Sequence, residues 1–434
     1  MTARAIVLGT AILLAGTAGA AAQTAAEPLT ELRWLDAGTA VNALGEGPRR
    51  HLRAEADGGT LSLLGRLGEL AFRTPRILGG NARLAGLSCD TCHPNGGANR
   101  YFFVAGLSDR PGNVDVSHRR FNRLTDDGRD NPLNIPSLRG VAMTPPYGRD
   151  GRIASLREFV RNVIVTEFEG NEPPGWLLDA LVAYQHELAF LPGARLGPDG
   201  RLGSDADAAA RRGERVFWQP FATQPELSCA ACHPPPAVFV DGRRHDIGSG
   251  GTFDTPTLLN LAETAPYFHD GRHAGLDAVV AHFDGVYRLG LSAEAQDDLV
   301  AYLQAVGAAP DAVEPRRLAG DLERIRRFLS VVDYAATAED AGLGAFAAES
   351  LRFELGRIYE RLPHEAGREL RAALLEQSMD LRRLTHLFEA GTFISARESL
   401  RSLYQTTKHW RDLKATEAGS LYDAAVLQRT LGGR

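Results

Sequence analysis

The pentapeptide Cys-x-x-Cys-His occurs twice in this chain and uses all four of its cysteines. The two copies supply Cys89, Cys92 and His93, and Cys229, Cys232 and His233. This spacing is typical of c-type haem attachment, in which both thiols bond to the porphyrin and the histidine ligates the iron. A short turn holds the two sulfurs and the imidazole on one porphyrin edge. The sequence therefore predicts two covalently bound haem c groups, with His93 and His233 as proximal iron ligands.

Two other uses of four cysteines are possible. A single zinc ion could take both cysteine pairs, although the pairs lie about 140 residues apart in the chain. Two disulfides would each have to close a very short loop, which strains the bond. Neither alternative needs the histidine that follows each pair, whereas haem attachment uses both histidines.

The first residues have the pattern of an export signal. Arg4 is followed by an apolar run from Ala5 to Ala18 and then by small residues up to Ala22. This order matches a signal peptide over residues 1–22, and the apolar run is short for a membrane span. We expect cleavage near Ala22 and a periplasmic mature chain without a membrane span. The alternative is an N-terminal anchor that is not cleaved.

Composition limits the partners and the number of domains. The chain has 434 residues, is 44% hydrophobic and has a formal net charge of −6. This length predicts two or three domains with packed cores. The negative charge argues against nucleic acid as a partner.

The central part of the chain is an internal duplication. Several segments recur 120 residues later, and a further one recurs 118 residues later. The matched pairs are 136–138 with 256–258, 150–152 with 270–272, and 181–184 with 299–302. We therefore expect two cytochrome c-like haem domains, over residues 27–195 and 196–310.

The last part of the chain, residues 315–434, is rich in Leu, Ala, Glu and Arg. Leu322, Ile325, Leu329 and Val332 recur at helical spacing, and similar runs follow. This pattern predicts a four-helix bundle that acts as a docking surface, a lid or a stabilising cap. The expected fold class is therefore mostly α, with two cytochrome c-like haem domains followed by a helical bundle.

The duplicated region resembles the bacterial di-haem cytochrome c peroxidase and MauG family. The resemblance is most specific at 255–258 and 267–272, and it extends over about residues 55 to 308. It implies that hydrogen peroxide reacts at the N-terminal haem. It also implies that the C-terminal haem supplies or stores electrons, and that a calcium ion lies between the two haems.

The resemblance carries several binding residues onto this chain. Asn134, Thr264 and Pro266 match the positions that bind calcium in the family, and oxygen donors of this kind suit a hard cation. A plain loop without an ion is the alternative. His269 lies within the family motif, where we expect it to bond a haem propionate or a backbone group.

A distal carboxylate is also expected over the first haem, to move a proton between the two oxygens of peroxide. The segment Val165–Glu169 offers two candidates. Glu169 fits an ungapped count, whereas Glu167 fits the local pattern better and is favoured. Because they are two positions apart on a helix, they cannot both face the iron.

Two positions depart from the family pattern. Arg149 stands where the family has a Trp between the haems. Phe283, which cannot ligate iron, stands where the peroxidases have Met and MauG has Tyr. The second haem is then ligated by His282, ligated by Tyr287, or five-coordinate.

These observations predict a periplasmic di-haem c-type oxidoreductase that resembles the peroxidases. Hydrogen peroxide would produce a high-valent haem, which would oxidise a small redox-protein donor or, as in MauG, a side chain of a partner protein. The alternative is a di-haem electron-transfer cytochrome without peroxide chemistry.

Overall fold

A computed structural model describes residues 29–193, 196–362, 367–408, 410 and 414–432. These residues form a mostly helical structure with three small two-stranded sheets. The predicted signal peptide, residues 1–22, lies outside the described residues. Within the described part of the chain, no helix is both long enough and apolar enough to cross a bilayer.

The first repeat is built on two packed helices, α3 and α7. Its helices are α1 Asn42–Gly45, α2 Arg53–Ala56, α3 Leu63–Arg73, α4 Gly80–Leu84, α5 Cys89–Cys92, α6 Leu156–Asn162 and α7 Gly175–Glu187. A Cβ atom at Gly68 of α3 would lie only 1.9 Å from the carbonyl oxygen of Ala180 in α7. Glycine therefore lets these two backbones approach each other closely.

The second repeat uses the same arrangement. Its helices are α8 Ala208–Trp218, α9 Cys229–Cys232, α10 Leu276–Tyr287 and α11 Ala293–Gly307. A Cβ atom at Gly213 of α8 would lie 1.8 Å from the carbonyl oxygen of Asp298 in α11. The Gly-Glu-x-x-Phe sequence common to both repeats thus marks the contact between the two helices of each repeat.

Short strands within the loops form three antiparallel pairs. They are β1 Glu46–Pro48 with β6 Val313–Pro315, β2 Asn113–Val114 with β3 Leu133–Asn134, and β4 Arg244–Asp246 with β5 Thr252–Asp254. The β1–β6 pair joins the start of the first repeat to the segment that follows the second. The side-chain amide of Asn260 adds a further link, because it bonds both the N–H and the carbonyl of Leu191 (2.7 and 3.1 Å).

The C-terminal part has four long helices followed by two short ones. They are α12 Leu318–Thr337, α13 Ala341–Glu360, α14 Arg368–Glu389, α15 Phe393–Lys408, α16 Lys414–Ala418 and α17 Ala424–Leu431. The buried apolar faces of α12 to α15 form one hydrophobic cluster, which also includes Leu67, Leu70 and Ala180 of the first repeat. The C-terminal helices therefore share a core with the first repeat.

Candidate haem sites

Each Cys-x-x-Cys segment forms one short helical turn, capped by the serine before it. In α5, the Ser88 N–H donates to the hydroxyl of Thr91 at 3.0 Å. In α9, the Ala231 N–H donates to the hydroxyl of Ser228 at 3.1 Å. None of the four cysteines is in a disulfide, and no cluster among the described residues brings both cysteine pairs together. The geometry thus favours two separate haem loops over one zinc site.

The histidine after each turn is oriented by a backbone carbonyl. The Nδ1 atom of His93 lies 2.9 Å from the Pro136 oxygen, and Nδ1 of His233 lies 3.0 Å from the Phe239 oxygen. A carbonyl only accepts, so Nδ1 carries the proton and the lone pair of Nε2 is left for a metal. Burial lowers the pKa of His93 to about 4, although the bond to Pro136 opposes this shift. Both rings therefore fit proximal iron ligands.

A cavity of about 280 Å³ lies above the second haem loop. Its lining includes Cys229, Cys232 and His233 of the haem loop together with Phe283 and Tyr287 of α10. The walls are largely apolar, as expected for a site that encloses a porphyrin.

Four residues of the cavity lining carry a buried polar atom without a hydrogen-bond partner: Arg139, Ser249, Asp254 and His269. Two of these atoms are Nδ1 of His269 and Oδ1 of Asp254. The ring of His269 stacks on Phe253, with their centroids 3.8 Å apart. Burial and repulsion from Asp241 raise the pKa of Asp254 to about 7. Because unsatisfied buried groups are costly, both atoms fit a haem whose propionates bond to them.

The three alternatives for the distal side of the second haem differ in position. The Nε2 atom of His282 lies 2.7 Å from the Ile247 carbonyl oxygen, and the His282 ring packs on Phe268. Phe268 lines the cavity, whereas His282 does not. Phe283 and Tyr287 both line the cavity and stack on each other at 6.1 Å. The structure thus gives His282 another partner and presents Tyr287 to the haem site.

A π-helix, Val163–Glu167, continues α6 in the first repeat. A π-helical turn accommodates one extra residue, which accounts for one of the two residues by which the repeat offset falls, from 120 before this segment to 118 after it. Val163 and Val165 of this turn pack in the same hydrophobic cluster as Cys89 and Cys92. The π-helix therefore shares a core with the first haem loop.

Glu167 is held at the end of this π-helix. Its carboxylate accepts from Arg152 at 2.7 Å and from the side-chain amide of Asn162 at 3.3 Å. Burial raises the pKa of Glu167, and the positive charge of Arg152 only partly opposes that shift. The guanidinium of Arg152 in turn lies over the ring of Phe159. Arg152 belongs to the repeated Asp-Gly-Arg sequence, so the repeat itself could have pointed to this partner.

Glu169 has different surroundings. It is exposed, has a φ of 54°, and its carbonyl lies so close to Gly79 that a Cβ atom there would be only 1.8 Å away. Its carboxylate lies beside Gly80. The two candidate carboxylates therefore point into different environments, and Glu167 is the partly buried one.

The three residues matched to the family's calcium ligands do come together at the cavity wall. The side-chain amide of Asn134 donates to the Pro266 carbonyl at 2.6 Å, and the hydroxyl of Thr264 donates to Leu261 at 3.0 Å. The guanidinium of Arg149 donates to the Asn134 carbonyl, from Nε at 3.2 Å and also from its second nitrogen. The Pro266 carbonyl is thus already bonded by the Asn134 amide, and the positive charge of Arg149 lies against the Asn134 backbone, an arrangement that disfavours a calcium ion.

The two aromatic side chains that could replace the inter-haem Trp lie in different places. Tyr147 stacks on Phe159 at the first haem site, with the ring centroids 6.2 Å apart. Trp176 packs against Phe346 of α13, at the contact with the C-terminal helices. Of the two, Tyr147 packs on the hydrophobic cluster of the first repeat and Trp176 bridges it to the C-terminal helices.

Each Cys-x-x-Cys-His loop holds a histidine oriented to ligate a metal, and the second loop opens on an apolar cavity, so the chain fits the class of di-haem c-type cytochromes. The family model described as "Di-haem cytochrome c peroxidase" matches residues 207–315. The chain is 28% identical to methylamine utilization protein MauG of Methylorubrum extorquens over 298 residues, which is 57% of this chain and 79% of MauG. Residues 207–315 thus match this family, and the MauG relative agrees with the resemblance that the sequence predicted.

Other relatives share the duplicated region. Cytochrome c peroxidase Ccp of Escherichia coli is 24% identical over 54% of this chain and 59% of its own. Hydrazine synthase subunit gamma of Kuenenia stuttgartiensis is 24% identical over 34% of this chain. The match spans about half (55%) of the length of that subunit.

Two solved structures are similar in part. A hydrazine synthase from Kuenenia stuttgartiensis has a TM-score of 0.41 at 21% identity, covering 70% of this chain and 100% of its own. A MauG-like protein associated with microbial copper homeostasis has a TM-score of 0.38 at 19% identity, covering 61% and 97%. Both scores are too low to support a shared overall fold.

Proposed function

We propose that this protein is a periplasmic di-haem oxidoreductase that reacts with hydrogen peroxide and oxidises either a small redox-protein donor or a side chain of a partner protein. The observation that carries the proposal is Glu167, a partly buried carboxylate with a raised pKa, which ends the π-helix that packs on the same hydrophobic cluster as Cys89 and Cys92. When bound, the haem would supply the electrons that cleave the O–O bond and would store the oxidising equivalents.

The role of Glu167 follows from its position. A carboxylate near the iron can accept the proton of one peroxide oxygen and return it to the other, so that water leaves. A raised pKa suits this task because the group must both take up and release a proton near neutral pH. Arg152 and Asn162 position the carboxylate by their hydrogen bonds.

The surroundings of the second haem favour the MauG-like branch of the family. Tyr287 is the candidate sixth ligand because it lines the same cavity as His233 and carries a phenol oxygen. Met143 and Met379 are largely exposed and do not line this cavity. A His/Met second haem, as in the electron-fed peroxidases, is thus not supported by the residues available.

The test is the reaction of purified holoprotein with peroxide. We expect a rapid spectral change at one haem, and Glu167→Gln should slow it by about 10²- to 10⁴-fold, the usual contribution of a general acid–base group. Glu169→Gln is the matched control and should react at close to the wild-type rate, because Glu169 is exposed and packs elsewhere.

The same reaction should depend on pH in a defined direction. Since the pKa of Glu167 is raised, its carboxylate becomes protonated at a higher pH than an ordinary glutamate. The rate should therefore fall as the pH decreases, beginning above the usual range for Glu, and Glu167→Gln should remove this dependence. A wild-type protein that is wholly low-spin and inert to peroxide would instead be an electron-transfer cytochrome.

Localisation and haem content form a separate part of the proposal. The N-terminal pattern supports removal of residues 1–22 on export. Intact mass measurement of protein from the periplasmic fraction should show a chain that starts near residue 23 and carries two covalent haems. A retained N-terminus, or fewer than two haems, would contradict it.

A further inference from the structure

Arg149 lies between the two haem-binding loops. It lines the cavity that contains His233, together with Asn134 and Pro136. The carbonyl of Pro136 accepts the Nδ1 proton of His93, the proximal histidine of the first haem. The wall that carries Arg149 therefore extends from one haem loop to the other.

The guanidinium is anchored at a point where loops from both repeats meet. It donates to the carbonyl of Asn134, whose own N–H donates to the carbonyl of His269 at 2.8 Å. The Asn134 side chain also bonds Pro266, so a single residue of the first repeat connects Arg149 to the second repeat. The Asp254 N–H in turn donates to the Arg149 carbonyl at 3.1 Å.

The charge of Arg149 has few protein counter-charges. Asp254 is the acidic side chain that acts on it, and the hydrogen bonds of the guanidinium go to the neutral backbone carbonyl of Asn134. An arginine guanidinium keeps its charge at neutral pH. Burying an arginine with so little compensation is costly unless other anions approach it. The carboxylates of a haem in this cavity are such anions.

We infer that the Arg149 guanidinium is a built-in cation between the haems, which holds the Asn134 and Pro266 loops together and replaces a bound calcium ion. A calcium site needs six to eight oxygen ligands directed at one point. Here the Asn134 amide is bonded to the Pro266 carbonyl, and a positive charge already lies beside them. A divalent ion at the same place would be repelled by the guanidinium.

A consequence is that the protein does not depend on calcium supply to order its inter-haem region. The inference concerns charge and structure and does not depend on peroxide chemistry. The role of Arg149 can therefore be correct even if the protein does not react with peroxide. Different experiments would contradict the role of Arg149 and the proposed reaction.

The test compares wild-type holoprotein with three variants. Arg149→Met removes the charge at similar length, and Arg149→Lys keeps the charge. Arg244→Met is the control, because Arg244 is an exposed arginine from the same region. Its Cγ lies 3.3 Å from the Cβ position of Gly151, which is two residues after Arg149. The measurements are calcium content per chain, the melting temperature in chelator and in millimolar calcium, and the reduction potentials of both haems.

Wild type and Arg244→Met should contain no stoichiometric calcium, and their melting temperatures should be the same in chelator and in calcium. Arg149→Met should melt at a lower temperature, and at least one haem potential should become more negative, because a nearby positive charge is lost. Arg149→Lys should restore most of that shift.

One calcium per wild-type chain, or a melting temperature that falls in chelator, would overturn the inference. So would an Arg149→Met variant whose potentials and melting temperature match wild type. If Arg149→Met does not fold, the calcium content and chelator response of the wild type still decide the question.

Discussion

Single residues decide the chemistry of each haem site. Glu167 and Glu169 are two positions apart, yet one is partly buried against Arg152 and the other is exposed beside Gly80. His282 and Tyr287 lie in the same helix, yet only Tyr287 lines the cavity. The sequence left these alternatives open because a small rotation about a helix axis exchanges the side chains that face a ligand.

Removing the phenol of Tyr287 tests its place at the second haem. If Tyr287 ligates the iron, Tyr287→Phe should change the ferric spectrum of one haem, because the phenol oxygen is lost while the ring packing on Phe283 is kept. Tyr267→Phe is the control, since the Tyr267 hydroxyl also belongs to the cavity lining but donates to the Leu261 carbonyl at 3.3 Å. Identical spectra for wild type and Tyr287→Phe would exclude Tyr287 as a ligand.

At the scale of elements, the repeat depends on close helix pairs. The α3–α7 and α8–α11 contacts each have a glycine where no Cβ atom fits. The Gly-Glu-x-x-Phe sequence at 68–72 and 213–217 is visible as a repeat in the sequence. Its packing role is not, because the partner backbone lies more than 80 residues away in the chain in both repeats.

Adding a methyl group at this contact should force the helices apart. Gly213→Ala should destabilise the protein by about 1–3 kcal/mol, the usual cost of overpacking a buried contact. Gly285→Ala is the matched control, because Gly285 is an exposed helical glycine with no atom near its Cβ position, so alanine should be neutral or slightly stabilising. Denaturant unfolding of both variants measures the difference. Equal stability would show that α8 and α11 are less tightly packed than the structure indicates.

At the scale of the whole molecule, the C-terminal helices are joined to the first haem loop by buried ion pairs. Asp90, inside the first Cys-x-x-Cys turn, contacts Arg73 at 2.9 Å and Arg357 of α13 at 3.2 Å. Glu354 of α13 contacts Arg73 at 2.9 Å. These arginines hold the pKa of Asp90 well below its usual range, so its contribution to stability is present at neutral pH and lost in strong acid.

Breaking this network should affect stability and the first haem together. Glu354→Gln leaves Arg73 with less compensating charge, and removing one partner of a buried ion pair costs about 3–5 kcal/mol. We expect lower stability and an altered potential for one haem only. Glu323→Gln is the control, because Glu323 is an exposed residue of α12 paired with Arg326 at 3.4 Å. If the two variants are equally stable, the C-terminal helices do not support the haem loop through these contacts.

Local spacing was enough to predict the haem attachment residues and the duplication. The family prediction, drawn from the repeated motifs, is confirmed. Each haem motif consists of residues close together in the chain, such as Cys89, Cys92 and His93, and each repeat is recognised by comparing short segments. The sequence alone was therefore sufficient to predict them. The predominance of helix was also predicted, since the apolar residues recur at helical spacing.

The tertiary structure decided which groups meet across the repeats. It put the guanidinium of Arg149 against Asn134, gave His282 a carbonyl partner, and linked Asp90 to α13. Each of these contacts depends on the three-dimensional positions of segments that lie apart in the chain and on the direction of a single side chain. Periodicity and spacing carry no information about either, so the internal cation became visible only in the folded molecule.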